Sequence, residues 1–411
     1  MMTSLLLTLS MGAAAQTNDT FARGADISWC TEMESQGVKF YNTNGNETEI
    51  CQLMKQIGMN AIRLRVWVNP ENGYGPWCDI ADLLVKARRV QAQGLDLMID
   101  FHYSDYFADP GRQMKPKAWD ELSFEQLKQA VAQHTTDVLQ ALKDEGIAPK
   151  WVQVGNETTS GMIWDDGRID WNQPEDKRWL NYVVLSNAGY DAVKQVFPDT
   201  YVIVHHDNGK SDNNWYYLAF KKYGGKFDMI GLSHYPDWNN WSQDNTDAAK
   251  NLNRLYLQLR KPVMIVETGY SNWDEPRAEK VMKDLFTKME QETGCAGILY
   301  WEPEVYGGWQ PHFLQDDGSW SAAKPCTPGS KITSNGAFTP NGRPAAALLA
   351  FSNTSSGIIS IPFQGKYEED ISHISPRATL YYNLGGQRVD AFAKGIVLVR
   401  QGNTIQKQFR P

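Results

Sequence analysis

Two glutamates close apolar runs of this chain: Glu157 in "WVQVGNE" (151–157) and Glu267 in "VMIVETGY" (263–270). A carboxyl at the tip of an apolar run is either a surface charge or half of an acid–base pair. A surface salt bridge accounts for either glutamate alone. It does not account for two of them at matching positions, one directly preceded by Asn156. Cleaving a glycosidic bond with retention takes two carboxyl groups about 5–5.5 Å apart, one serving as acid and then base, the other as nucleophile. The acid must begin protonated, and an ionised neighbour raises its pKa. Asn156 is a neutral donor suited to a sugar 2-hydroxyl, a contact that strengthens as the oxocarbenium-like state develops. The pair therefore reads as Glu157 acid/base and Glu267 nucleophile.

Other polar groups fall at the ends of similar runs. Arg63 and Arg65 alternate with apolar residues in "AIRLRVW" (61–67), so both point the same way. A buried arginine needs a carboxylate, and Glu267 is the natural partner, which would keep it ionised. His102–Tyr103 and His234–Tyr235 end two further runs and could hold sugar hydroxyls or orient the nucleophile, although a lone histidine in a strand is more often a satisfied core residue. His205, His206 and Asp207 invite a metal reading, but no H-x-x-x-H or facial triad accompanies them. Trp301 in "LYWEP" is a candidate floor for the central sugar, and Trp164, Trp238, Trp241 and Trp309 are candidates to flank the cleft or to pack under its loops. No G-x-S-x-G is present, which removes the serine-hydrolase reading.

The elements that must position these groups recur regularly. Eight short apolar runs are read as strands: 24–29, 61–67, 95–103, 151–157, 201–207, 229–235, 263–270 and 296–303. Helical patterns lie between them. Over 47–58, Ile50, Leu53, Met54 and Ile57 share a face and Gly58 stops the helix; over 123–145, Ser123 and Gln126 form a capping box ahead of the stripe Leu127, Val131, Val138, Leu142. Strands apolar on both faces, alternating with amphipathic helices, predict an α/β fold, a (β/α)8 TIM barrel whose strand ends carry the site. A doubly wound sheet would show a glycine-rich loop after its first strand, and "DISWCTEMES" has none. Beyond residue 350 the pattern changes to a linker, "FSNTSSG", and then to alternating runs in "TLYYNLGGQRVD" and "KGIVLVRQGNTIQKQ". The expected division is a signal peptide over 1–15, a catalytic barrel over 16–350, and a linker with a small β-rich module over 351–411.

Bulk properties narrow the function. With 411 residues, 42% hydrophobic and 21% charged, the chain has material for one large core. A net charge of −8 argues against nucleic acid as a partner. Fifteen tryptophans suit a groove that stacks on sugar rings. The N-terminus carries a short apolar run, Leu5 to Leu9, and Ala13-Ala14-Ala15 before Gln16, the pattern of a cleaved signal peptide on a secreted or cell-surface protein. The five cysteines form no C-x-x-C; their odd number leaves at least one thiol free in a monomer, and their spacing assigns no pairing.

"GADISW", "IRLRVWVNP", "DFHYSDYFADPGRQMKPKAW", "VQVGNE", "GLSHYPDW", "VETGYS" and "YWEP" together resemble glycoside hydrolase family 53, the arabinogalactan endo-β-1,4-galactanases of clan A, over about residues 22–345. The resemblance implies a retaining (β/α)8 enzyme acting on β-1,4-galactan, the side chain of type I arabinogalactan and pectin. It places acid/base on Glu157 and nucleophile on Glu267, in agreement with the reading above. It also points to Asn156, Arg63, Trp67, His102, Asp105, His234, Tyr235 and Trp301 as subsite or support residues. Phe107 departs from the more usual Trp. No cofactor is implied. Some bacterial members hold calcium through an insertion after the seventh strand, and the short "SNWDEPRAEK" argues against such a site here. The tail run "YYNLGGQRVD…KGIVLVRQG" resembles the C-terminal β modules of type IX secretion, which implies secretion machinery as a partner. The alternatives are another clan-A hydrolase acting on β-mannan or β-glucan, and an inactive glycan-binding barrel.

Overall fold

The computed structural model describes residues 21–70, 75–272, 274–312, 319, 321–329 and 336–352, together with four strands nearer the C-terminus. The proposed signal segment 1–15 lies outside the described residues. The chain divides into two compact units after Phe351.

The first unit is a closed barrel of eight parallel strands, with sequence-adjacent strands adjacent around the ring. They are β1 (Ala22–Asp26), β2 (Ala61–Val66), β3 (Asp96–Phe101), β4 (Trp151–Val154), β5 (Tyr201–His206), β6 (Met229–His234), β7 (Val263–Thr268) and β8 (Cys295–Trp301). Each is followed by a helix: α1 (Ile50–Gln56), α2 (Ile80–Ala92), α3 (Phe124–Asp144), α4 (Leu180–Val196), α5 (Asn214–Lys222), α6 (Trp241–Leu259), α7 (Glu275–Met289) and the short α8 (Ala346–Leu349). The predicted (β/α)8 architecture is therefore the observed one. The first strand runs 22–26 rather than 24–29. Asp26 ends it by accepting hydrogen bonds from the backbone N–H and the hydroxyl of Ser28, and the chain turns into a short helix at Cys30. Gly24 is required in β1, because a Cβ there would lie 2.2 Å from the Ala61 carbonyl oxygen of β2.

Strand parity sorts side chains into two layers. Leu97, Ile99 and Phe101 of β3, like Val152 and Val154 of β4, face the helices and join the large core. Ala22, Ala61, Met98, Trp151, Ile203, Met229, Met264, Val266 and Leu299 fill the lower barrel interior. One turn further along the same inward rows, apolar residues give way to Asp26, Arg63, Arg65, Asp100, Gln153, His205 and Ser233, all buried. The barrel is thus plugged with hydrocarbon below and with a charged network above.

The helices carry their own boundaries. Ser123 and Gln126 cap α3, with the Ser123 backbone N–H 2.9 Å from Gln126 Oε1. Asp274 caps α7 by accepting from the Arg277 N–H. All five cysteines are free.

The second unit contains a four-stranded antiparallel sheet in the order Arg388–Val389, Thr379–Tyr382, Gly395–Gln401, Thr404–Arg410. Its strands fall in the two alternating runs of the sequence. Among the described residues no helix is long and apolar enough to cross a membrane.

Candidate active site

Arg63 is the hub. It is 1% exposed, and its guanidinium donates to Asp26 Oδ2 at 2.9 Å, Asp100 Oδ2 at 2.8 Å, Asn156 Oδ1 at 2.9 Å and Glu267 Oε1 at 2.7 Å. Three carboxyl groups thus share one guanidinium. Against the cost of burial, Arg63 and then His102 hold Asp100 below the ordinary carboxylate range. Glu267 ends differently: burial lifts it, Arg63 pulls it back, and Asp100 and Asp26 lift it again, so it is pushed up to about 7. Its second oxygen accepts from the Tyr235 hydroxyl at 3.1 Å. Both oxygens are therefore held, as a nucleophile that must attack along one line requires.

Glu267 reaches the interior through a bulge. Met264 and Val266 already face inward, so strict alternation would send Glu267 to the helices. The register slips by one residue, from Leu232↔Ile265 to Ser233↔Glu267, and turns the carboxylate into the mouth. Glu157 arrives by another route. β4 stops at Val154, Gly155 takes φ +85°, and Glu157 itself sits in the left-handed region at φ 44°, ψ 56°. Such a backbone costs about 1–2 kcal/mol for a residue with a Cβ. Here the Glu157 N–H is held by His205 Nδ1 at 3.2 Å, and Gln113 Nε2 ties the Asn156 carbonyl at 2.8 Å.

The two carboxyls meet at Ser233. Its hydroxyl lies 2.6 Å from Glu157 Oε1 and 3.5 Å from Glu267 Oε2. One oxygen touching both puts the nearest carboxylate oxygens no more than about 6 Å apart, close enough for the two groups to act on one bond. Burial, then the Glu267 charge, holds Glu157 well above the usual carboxylate range. Arg63 contacts Glu267 and not Glu157, so the first proton taken up by the pair belongs on Glu157.

The remaining expected residues divide. Asn156 accepts from Arg63 and donates one Nδ2 hydrogen to the Ala108 carbonyl at 2.8 Å, which leaves its other hydrogen for a ligand. Tyr235 is 37% exposed at the mouth and its ring meets Trp301 edge-on at 6.4 Å. Asp105 sits on a loop, accepting from the N–H groups of Asn69 and Lys117, and so ties loops together. Three others are placed behind the mouth, where they serve as support residues. His102 has both nitrogens committed, Nε2 to Asp100 Oδ2 at 2.9 Å and Nδ1 to the Ala108 N–H at 2.9 Å. Trp67 is fully buried among Trp29, Tyr106 and Phe107. His234 has the opposite parity to Ser233 and Tyr235, faces the helices, and binds Asn245 of α6 at 2.9 Å; burial takes it down to about 4, so it stays neutral. All three support the site from behind. Trp309 is likewise buried against Trp29, and Trp238 is stacked on Tyr270 with Arg277 over its ring.

Sequence reasoning missed Asp26, Asp100, Gln153 and Ser233, and considered His205 only as a metal ligand. Parity was the available signal: each stands on the inward row near a strand's C-terminal end. Arg65, the second arginine of its strand, binds Glu302 Oε1 at 2.6 Å under the Trp29 ring. Arg112, Gln113, Met114 and Trp164 line an open cavity of about 470 Å³, and Gln113 links it to the Asn156 carbonyl.

Paired carboxyls across the mouth of a parallel (β/α)8 barrel, one of them fixed by a buried arginine, are the equipment of a glycoside hydrolase. The profile of Glycosyl hydrolase family 53 matches residues 22–351, and the chain belongs to that family. It is 35% identical to an uncharacterised protein of Niallia circulans over 328 residues, covering 75% of this chain and 88% of that one. It is 31% identical to an endo-β-1,4-galactanase of Bacillus subtilis over 396 residues, covering 83% and 88%. Among solved structures, the GH53 catalytic domain of Ignisphaera aggregans superposes with a TM-score of 0.68 at 28% identity, covering 80% of this chain and 95% of that one.

Proposed function

We propose that this chain hydrolyses internal β-1,4-galactosidic bonds of type I (arabino)galactan with retention of configuration, Glu157 acting as acid/base and Glu267 as nucleophile. The observation that carries the reading is the single Ser233 hydroxyl in contact with both carboxyls. Membership of family 53 and the galactanase relatives support the substrate.

In the first step a Glu267 oxygen attacks the anomeric carbon while Glu157 gives its proton to the departing glycosidic oxygen. Arg63 and Tyr235 hold the attacking carboxylate, and the free Asn156 amide hydrogen meets the 2-hydroxyl. In the second step the Glu157 carboxylate takes a proton from water, which attacks the glycosyl ester and releases Glu267. Trp301 and Tyr235 line the central subsite. The enzyme works outside the cytoplasm, exported through the segment 1–15, and its C-terminal strands serve sorting or attachment by secretion machinery. The leader pattern in the sequence and the resemblance of the tail support these last two points.

Release of reducing ends from lupin or potato galactan, against β-mannan and carboxymethylcellulose, tests the substrate. Cleavage of mannan without cleavage of galactan would overturn it.

A further inference from the structure

Ser233 and His205 are both buried and polar, the first touching the Glu157 carboxyl and the second its backbone N–H, yet the mechanism above gives them no part. Their hydrogen bonds have a fixed direction. The Glu157 backbone N–H donates to His205 Nδ1 at 3.2 Å, a direction that cannot reverse, and Gln153 Nε2, also a donor, lies 3.0 Å from the same nitrogen. Asn156 Oδ1 lies 3.2 Å from it as well, but already accepts from Arg63 and Gln153. Two donors on Nδ1 make it the acceptor and put the ring hydrogen on Nε2. Nε2 faces Ser233 Oγ at 2.8 Å. The hydroxyl therefore accepts from His205, and its single hydrogen goes to Glu157 Oε1 at 2.6 Å. Burial keeps His205 well below its ordinary pKa, so this neutral tautomer persists through the working range.

We infer that Ser233 and His205 are positioning residues that fix the proton of Glu157 on Oε2. An oxygen already accepting a hydrogen from Ser233 does not carry the carboxyl proton as well. The acid hydrogen is left on the other oxygen, free for the leaving group, and the Ser233 bond strengthens once Glu157 becomes an anion. The loop closes on itself: the left-handed backbone of Glu157 aims its own N–H at the histidine that organises its own carboxyl. This inference rests on Glu157 being the acid/base.

Glu157 is also surrounded by Glu267 of β7, Arg63 of β2, Tyr235 just after β6 and Asp207 after β5, with Asp100 of β3 behind His205. Ser233→Ala leaves these charges in place and removes one donor to the carboxylate.

The test compares pH profiles of kcat/KM for wild type and Ser233→Ala on galactan and on a dinitrophenyl galactoside, whose departure needs little protonation. The alkaline limb reports loss of the Glu157 proton, and it should move up by about 1 unit on losing one donor. At pH 6 the galactan rate should fall about 10-fold while the dinitrophenyl rate stays within about 3-fold. Ser233→Thr, which keeps the hydroxyl, should restore the wild-type limb. His205→Phe should give the same substrate-selective loss and serves as the second variant if Ser233→Ala does not fold. An unmoved limb, or an equal loss on both substrates, overturns the inference. Failure of wild type to cleave galactan instead overturns the proposed function, before any variant is compared.

Discussion

Tyr235→Phe isolates what one hydrogen bond does to the nucleophile. The hydroxyl donates to Glu267 Oε2 at 3.1 Å, and nothing else about the ring changes: it keeps its edge contact with Trp301. A hydrogen bond to a charged group contributes about 1.5–3 kcal/mol. Arg63 still holds the other oxygen of Glu267 in the variant, so the lower end applies. At about 1.36 kcal/mol per unit, that raises Glu267 by roughly 1 unit from its position near 7. Attack requires the carboxylate, so the acidic limb of kcat/KM on galactan should move up by about 1 unit, and the rate at pH 6 should fall about 10-fold. At pH 5 the carboxyl is protonated in both proteins, so their melting temperatures should agree there. An acidic limb that stays in place, with the pH 6 rate within about twofold of wild type, would refute the assignment of Glu267 as the group Tyr235 tunes.

Glu157→Gln should lose most activity on galactan yet keep measurable turnover of aryl galactosides with good leaving groups, because protonation matters less for them. Glu267→Gln should be inactive on every substrate, and substantial residual turnover by it would move the nucleophile elsewhere. Arg63→Met strands Asp26, Asp100 and Glu267 in the barrel without their cation and should cost about 3–5 kcal/mol in urea unfolding. Glu267 and Glu302 are both raised from 4.5 to about 7 on folding. A raised carboxyl favours the folded state below its unfolded pKa, and that contribution is lost as pH rises through 7. His134, His206 and His234, buried neutral and lowered to about 4, act the other way below pH 6.5, so the carboxyl contribution is read as a difference from wild type. Glu157→Gln removes a raised carboxyl and should melt higher relative to wild type at pH 8 than at pH 5; an equal difference at both pH values would contradict the burial argument.

Much of the architecture was legible in the chain. Eight apolar runs, each followed by a helical stripe or a breaker, dictate parallel strands with helical cover, because strands apolar on both faces must be buried on both. Residue type also marked the chemistry: Glu157 after Asn156, Glu267 ending an apolar strand, and Arg63 sharing one face of an apolar strand with Arg65. The sequence did not reveal which side chains share a face once regularity breaks. Glu267 stands at a position that plain alternation assigns to the helices, and an extra residue in β7 relative to β6 turns it into the mouth. Nothing in "VMIVET" signals that bulge, since it arises from register with neighbouring strands. Parity read the other way would have excluded His234, which binds Asn245 instead of the site. The burial of Trp67 and the full commitment of His102 depend on loops from distant parts of the chain. So does the convergence of Asp26, Asp100, Gln153, His205 and Ser233 on the two glutamates. The chain by itself determined the barrel and named its two carboxyls. Only the closed ring, by bringing β2, β5, β6 and β7 around one point, set the Arg63 guanidinium on Glu267 and the Ser233 hydroxyl between the two carboxyls.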